Sequence, residues 1–228
     1  MSARFAIYFA PPPDGELWRF GSRVIGYDAA TGEAPPFLVP IPGDEGAWPA
    51  WTADPRRYGF HATLKAPFRL AEGASPDDVD EVARSLARRA APFRISRMRV
   101  GLIGSFVAIV PAEESAMLQE LAGACVEAFE PLRAPLSAAE RERRLKAPLS
   151  PRQIELLDRY GYPYVFDQFR FHMTLTGRLP PDRAEAVRAR LADFYAELGT
   201  GLAIDAICIF RQPTAGERFA IWRRIPLG

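Results

Sequence analysis

The sequence contains only two histidines, and each one opens the same four-residue pattern. The first copy reads His-Ala-Thr-Leu from His61, and the second reads His-Met-Thr-Leu from His172. Near neutral pH one imidazole can accept a proton while another donates one, which suits general acid–base catalysis. Hydroxyl donors such as Thr63 and Thr174 can hold oxygens on which negative charge develops. The repeated pattern therefore predicts one site in which both histidines and both threonines are catalytic.

A lone histidine in an apolar strand is more often a hydrogen-bonded core residue than a catalyst. Here the repetition argues for the catalytic interpretation, because the two patterns open two units of the same predicted order: motif, helix and paired strands. The units span about residues 58–111 and 165–225. Equivalent positions in two copies of one unit are typical of an internal repeat. We therefore expect the two halves to bring His61 and His172 together.

The doubled His-x-Thr-Leu pattern resembles the signature of the 2H phosphoesterase superfamily. Tyr-Gly-Phe at residues 58–60 and Phe-Arg-Phe at residues 169–171 further resemble a bacterial branch associated with phosphonate metabolism. The resemblance implies an α+β fold of two pseudo-symmetric lobes, each an antiparallel sheet with helices outside. One His-x-Thr motif from each lobe would face a central cleft, and the chain 1–228 would form a single bilobal domain. It also implies metal-independent chemistry on cyclic phosphodiesters, or on 2′,5′-linked and terminal nucleotide phosphates.

Apolar periodicity and turn residues predict the elements that position the motifs. Strands are expected at Arg4–Ala10, Tyr58–Lys65, Phe93–Leu102, Ser105–Pro111, Val165–Thr176, Leu202–Arg211 and Arg218–Arg224. Helices are expected at Leu17–Ile25, Pro76–Ala91, Glu113–Phe129 and Ser150–Tyr160, and from the Leu179–Asp182 start signal to about Glu197.

Two segments are less regular. Residues 34–57 are rich in proline and glycine and contain Trp48 and Trp51, which predicts an ordered loop anchored by tryptophans. This loop either forms a wall of the cleft or is simply pinned to the core. Residues 130–164 contain a basic cluster within Ser137–Lys146. Its arginines form either a solvated helical face or a lid that adds positive charge to a phosphate cleft.

Counting in twos along each motif strand selects the charged neighbours of the histidines, because side chains alternate between faces. Lys65 shares the face of His61, and Arg170 shares the face of His172. A bound phosphate calls for a nearby cation, so Lys65 and Arg170 are candidate substrate ligands, although a charge at a strand end is often only solvated. Tyr58 is a third candidate, because its ring could stack on a base or a sugar or else join the core.

Composition narrows the range of partners. The chain carries 29 basic and 28 acidic residues, so it lacks the basic bias that long nucleic-acid backbones favour. A small phosphorylated sugar or nucleotide fits better, with an RNA end as the second possibility and DNA disfavoured. No signal-peptide pattern or long apolar run is present, which predicts a cytoplasmic protein without a membrane partner. No metal or cofactor is expected, because two histidines without clustered acids are a thin ligand set. Composition says nothing of oligomeric state.

The residues thus predict an enzyme of the cyclic phosphodiesterase type, which hydrolyses the cyclic phosphate of a small sugar or nucleotide without metal. One neutral imidazole would activate water, and the other, protonated, would donate to the leaving oxygen. The sequence does not say which is which. Two alternatives stay open: an RNA-end 2′,3′-cyclic phosphodiesterase or 2′,5′-ligase, and a non-catalytic module that binds a phosphorylated ligand.

Overall fold

The computed structural model describes residues 3–199 and 201–228. Nine strands occur in this part of the chain, and seven of them form one sheet. The strands are β1 (Arg4–Phe9), β2 (Ala62–Arg69), β3 (Phe93–Ile95), β4 (Met98–Ile103), β5 (Phe106–Pro111), β6 (Met173–Thr174), β7 (Leu202–Ile204), β8 (Ala206–Gln212) and β9 (Ala220–Pro226).

Eight α-helices accompany the strands in the described residues. They are α1 (Glu16–Ile25), α2 (Trp48–Trp51), α3 (Ala53–Arg56), α4 (Pro76–Ala87), α5 (Ala116–Ala128), α6 (Ala138–Leu145), α7 (Pro151–Tyr160) and α8 (Pro181–Ala196). The starts of α4, α6 and α7 follow from capping boxes, in which the serine before the helix and the third helical residue bond each other's backbone N–H groups. None of the described helices is long and apolar enough to cross a bilayer.

The strand order of the large sheet is β4-β5-β6-β2-β1-β8-β9, and every neighbouring pair is antiparallel. The predicted α+β class is therefore confirmed. The expected separate sheet for each half is replaced by one continuous sheet, because the two motif strands, β2 and β6, pair with each other. The short strands β3 and β7 form a second, two-stranded sheet. The predicted order of motif, helix and strands recurs in both halves, with a short strand before each hairpin.

Both motif strands begin later than the sequence predicts. The first runs from Ala62 to Arg69 instead of from Tyr58 to Lys65, and the second is limited to Met173–Thr174, preceded by a 3₁₀ turn at Phe166–Gln168. Just before each strand the backbone carbonyls of Gly59 and Arg170 accept hydrogen bonds from the histidine rings. The backbone there orients the imidazoles, and ladder pairing starts later.

The segment of residues 34–57 is a loop only up to residue 47, because the short helices α2 and α3 follow. It is pinned to the core by tryptophan, as one of the two interpretations predicts. Trp48 is fully buried, and its indole N–H donates to the Val24 carbonyl oxygen at 2.9 Å. The Trp51 carbonyl accepts the Gly177 N–H at 2.6 Å, just beyond the second motif. The segment also lines the site described below through Asp54. Both interpretations of this segment are therefore correct in part.

Candidate active site

The two motifs lie side by side on neighbouring antiparallel strands. Ala62 on β2 is the partner of Met173 on β6. Continuing this register by one residue in each direction places His61 opposite Thr174, and Thr63 opposite His172. Directly opposed residues have Cα atoms about 4.5–5.5 Å apart, and diagonal ones about 7–8 Å. The four motif side chains therefore form a square on one face of the sheet, with the two imidazoles on its diagonal.

His61 is fixed on three sides. Its Nδ1–H donates to the Gly59 carbonyl oxygen at 2.8 Å, so Nε2 carries the lone pair and accepts from the Thr63 hydroxyl at 3.2 Å. The Tyr8 ring stacks on the imidazole, with centroids 3.7 Å apart and planes inclined by 18°. Burial lowers the pKa of His61 to about 4; the bond to Gly59 opposes this shift, and nearby His172 adds to it. His61 is therefore neutral at pH 7.

His172 repeats the same local arrangement. Its Nδ1–H donates to the Arg170 carbonyl oxygen at 2.8 Å, again two residues back along the chain. The Phe106 ring lies 5.8 Å away, centroid to centroid. Burial lowers the pKa of His172, and the bond to Arg170 opposes the shift. Both imidazoles thus turn a lone pair on Nε2 away from the backbone, as acid–base groups require.

Two adjoining cavities open in front of the square. The main cavity, of about 570 Å³, is lined by residues that include His61 and Thr174. The side cavity, of about 510 Å³, is lined by residues that include His172. The two cavities share Thr63, Phe106 and Tyr162. Each volume lies within the range of about 300–1,000 Å³ that is usual for small-molecule sites.

Arginines give the main cavity a positive character. Arg4 on β1, Arg143 and Arg144 on α6, and Arg178 after the second motif all line it, and Asp54 is the one carboxylate residue among its described lining. This arrangement favours an anionic ligand. The sequence interpretation missed Arg4 and Arg178. Arg4 could have been found by counting in twos from Tyr8 along β1.

The basic cluster of residues 137–146 fits both interpretations in part, since one arginine lies on a solvated face and two line the cavity. Arg141 is on the solvated side, where its guanidinium binds Asp158 at 2.6 and 2.9 Å. Arg143 and Arg144 line the main cavity. Helix α6 is held over the sheet because Glu140 accepts two hydrogen bonds from Arg69 on β2, and this contact lowers the pKa of Glu140 to about 2. The helix is thus a fixed wall of the cavity that supplies two cations.

Lys65 does not reach the motif square, which corrects the expectation that it shares the face of His61. Its ammonium donates to the Glu130 carboxylate at 2.8 Å and to the Val126 carbonyl oxygen at 2.9 Å. The cause is a β-bulge: Tyr8 pairs with Thr63 but Ile7 pairs with Lys65, so β2 carries one extra residue between them. Counting in twos fails across a bulge.

The other two predicted substrate ligands lie at the cavities. Arg170 is exposed and lines the side cavity next to His172. Tyr58 lines the main cavity, where its ring stacks on Phe219 with centroids 5.4 Å apart. Its centroid is 6.2 Å from that of His61. The structure thus brings Arg170 and Tyr58 to the site, and their contacts with substrate stay a prediction.

Gly59 is expected to be intolerant of a side chain. Its φ of +83° is in the left-handed region, and an added Cβ would lie 2.5 Å from the Cβ of Ala29. Gly59→Ala should therefore lose about 1–2 kcal/mol of unfolding free energy from backbone strain, and about 1–3 kcal/mol more from overpacking. It should also reduce turnover, because its carbonyl orients His61. Urea unfolding and kcat would measure both effects.

Gly32 provides the matched control for this variant. Its φ of +82° is almost the same, but nothing lies within 4 Å of an added Cβ. Gly32→Ala should show the backbone strain alone, with kcat unchanged. Equal losses of stability in the two variants would contradict the packing argument.

Among residues 3–199 and 201–228, no three or more histidine, cysteine, aspartate or glutamate side chains are grouped so that they could hold a metal ion.

Comparison with known proteins identifies the family. The profile of the family described as "Protein of unknown function (DUF1045)" matches residues 63–220. The chain belongs to this family. Proteins named "Ribose 1,5-bisphosphate phosphokinase PhnN" are similar to it: that of Janthinobacterium sp. (strain Marseille) is 39% identical over 98% of this chain and 50% of its own length. The protein of that name from Laribacter hongkongensis (strain HLHK9) is 37% identical over 97% of this chain and 51% of its own length. The chain spans about half the length of the curated relatives it matches.

Solved structures that resemble the chain include E. coli LigT in complex with 3′-AMP, at 13% identity over 100% of this chain and 99% of that chain, with a TM-score of 0.44. Another is TT0787 of Thermus thermophilus, at 15% identity over 98% and 97% of the two chains, with a TM-score of 0.47. At these scores the likeness is distant.

Proposed function

We propose that the protein is a metal-independent phosphoesterase that hydrolyses a cyclic phosphodiester. The observation that carries the proposal is the motif square, in which two equivalently oriented imidazoles and two threonines meet on one face of the sheet beside arginine-lined cavities. Hydrolysis of such an ester needs a base for water, an acid for the departing alkoxide and donors for the phosphoryl oxygens. The square provides one side chain for each of these roles.

In the proposed reaction His61 is the base and His172 the acid. The Nε2 of His61 takes a proton from water as the water oxygen bonds to phosphorus. The bond from phosphorus to one ring oxygen breaks, and His172 transfers a proton to that oxygen. In the free protein the Thr63 hydroxyl donates to His61 Nε2. A phosphoryl oxygen would compete for this donor, leaving Nε2 free for water, while Thr174 donates to another oxygen.

The lowered pKa values of both histidines predict an acid-shifted pH profile. As the pH falls through about 4, His61 becomes protonated and cannot act as a base. As the pH rises through the lowered pKa of His172, the acid loses its proton. Therefore kcat/KM, which reports the free enzyme, should be bell-shaped with its optimum below pH 6.5, the ordinary histidine pKa. A bound anion raises both pKa values, so the kcat profile should lie at higher pH.

A phosphodiester with a 4-nitrophenolate leaving group distinguishes the two roles, because this group departs without a proton. With this substrate the alkaline limb should disappear, and His172→Ala should retain most of its activity while His61→Ala should not. The reverse result would exchange the roles of the histidines. A rate that only rises with pH would argue for hydroxide as the nucleophile.

A ribose cyclic phosphate is the substrate that the relatives favour. Kinases of the P-loop class carry a Gly-x-x-x-x-Gly-Lys-Ser/Thr motif, and this sequence contains no Gly-Lys pair, so the activity in the relatives' name is not assigned to this chain. About half of each relative resembles this chain, and the other half is long enough for a further domain. The name of these relatives gives ribose 1,5-bisphosphate as their substrate. Opening the 1,2-cyclic phosphate of a ribose that also carries a 5-phosphate would yield that compound.

A screen read by phosphorus NMR tests the function. Ribose 1,2-cyclic phosphate, with and without a 5-phosphate, would be compared with nucleoside 2′,3′-cyclic phosphates and an RNA ending in a cyclic phosphate. With EDTA present, the wild-type protein should open a ribose compound faster than the other compounds. Neither histidine-to-alanine variant should open it. A preference for the RNA end would favour the RNA-processing alternative. Binding without turnover of any compound would favour the non-catalytic module, and loss of activity in EDTA would contradict the mechanism.

A further inference from the structure

One end of the main cavity carries three arginines from two different elements. Arg4 comes from the start of β1, and Arg143 and Arg144 come from the last turn of α6. The same three residues also line a small cavity that continues from this end. We refer to Arg4, Arg143 and Arg144 as the arginine cluster. None of its members belongs to the motif square.

The arginine cluster lacks the acidic partners that neighbouring arginines have. Arg69 on the same wall binds Glu140, and Arg141 on the same helix binds Asp158. In the described part of the chain no carboxylate lies within 4.0 Å of a cluster guanidinium. Three uncompensated cations at the end of a cavity form a site for an anion.

Arg144 gives a second, independent indication of a ligand. Its guanidinium lies over the Tyr162 ring, 5.2 Å from the centroid. Its Nε is buried and has no hydrogen-bond partner among the described residues. Burial lowers the pKa of Arg144, because its charge is partly removed from water and has no acidic partner in the described part of the chain. Buried donors are rarely left unpaired in folded proteins, so an acceptor from outside the chain is expected.

The cluster stands apart from the reacting phosphate but within reach of the same small molecule. Arg4 and Tyr8 are four residues apart on β1 and face the same cavity, so their Cα atoms are about 13 Å apart at about 3.3 Å per residue. Tyr8 stacks on His61, which marks the catalytic end. The long arginine side chains shorten this gap, leaving room for one sugar ring between the two ends.

We propose that the arginine cluster is a second phosphate subsite, which binds a non-reacting phosphate monoester on the far side of the substrate's sugar ring. This inference rests on the proposed function and extends it: the substrate class is a sugar that carries both a cyclic phosphate and a separate phosphate. The Arg4 side chain is held in place, because its Nε donates to Gln212 at 2.7 Å and its guanidinium lies over the Phe219 ring, 5.3 Å from the centroid. The guanidinium of Arg144 would donate two hydrogen bonds to two oxygens of the same phosphate.

Equilibrium binding tests the subsite without requiring turnover. Isothermal titration would compare ribose 1,5-bisphosphate with ribose 1-phosphate on the wild-type protein and on Arg143→Gln, Arg144→Gln and Lys146→Gln. Lys146 follows the same helix and is exposed, so its variant removes an equal charge outside the cluster. The second phosphate should strengthen wild-type binding about 10- to 100-fold. Most of this gain should disappear in Arg144→Gln, part of it in Arg143→Gln, and none in Lys146→Gln.

Two outcomes would overturn the subsite. One is a wild-type protein that binds both ribose phosphates equally, and the other is a gain that survives in a protein with both Arg143→Gln and Arg144→Gln. Arg144→Lys is the control for a folding defect. It keeps the positive charge, so it should retain part of the gain in affinity that the second phosphate gives. If the cyclic phosphate screen fails while the second phosphate still strengthens binding in this pattern, the subsite stands and the hydrolytic function is wrong.

Discussion

Replacing either His61 or His172 with alanine is expected to lower kcat on the cyclic phosphate substrate by at least about 100-fold. Each histidine performs one proton transfer in the same transition state, so the loss of one leaves the other without its partner. The double variant should therefore be hardly slower than either single one, as is typical of groups that act as a unit. Steady-state kinetics of the three variants, measured at the wild-type pH optimum, would show this.

The threonines of the motif square provide the graded comparison. Thr63→Val and Thr174→Val each remove one hydroxyl donor and keep the shape of the side chain, so they should be milder than the histidine variants. Far-ultraviolet circular dichroism and thermal melting would show that all variants keep the fold. If both single histidine variants retained more than about a tenth of the wild-type kcat, acid–base catalysis by the pair would be excluded.

The meeting of the two motifs could be predicted from the sequence, but the sheet that joins them could not. The prediction followed from pattern alone, because both copies carry His-x-Thr-Leu at equivalent positions of a repeated unit. The direct pairing of β2 with β6 could not be predicted, since it joins residues more than a hundred positions apart. That pairing converts two expected sheets into one and turns a cleft between lobes into a square on one face.

Charged residues were the least predictable part of the site. Lys65 was assigned to the motif face by periodicity, and one extra residue in β2 turned it away. The direction of Arg143 and Arg144 depends on how α6 is anchored, which the Arg69–Glu140 contact decides. Such a contact joins distant parts of the chain and leaves no local pattern in the sequence. Arg4 is different, because alternation along β1 places it on the face of Tyr8.

The Lys65–Glu130 pair should dominate the stability of this region. The two side chains are 4% and 26% exposed, and Glu130 also accepts hydrogen bonds from Arg133. Glu130→Gln would leave the Lys65 ammonium buried without a counter-charge. Breaking such a pair from one side typically costs about 3–5 kcal/mol, and the partial exposure of Glu130 places the expected loss of unfolding free energy at about 3 kcal/mol. Urea unfolding at pH 7 would measure it.

Glu155→Gln is the matched control, because Glu155 and its partner Arg152 are 58% and 46% exposed, and such a surface pair contributes at most about 1 kcal/mol.

Adding Lys65→Met to Glu130→Gln should recover much of the loss, because the uncompensated charge is then absent. Burial already lowers the pKa of Lys65, and removing Glu130 lowers it further, so the loss should shrink as the pH rises and Lys65 gives up its proton. A double variant as unstable as Glu130→Gln alone would show that Glu130 acts through Arg133 instead.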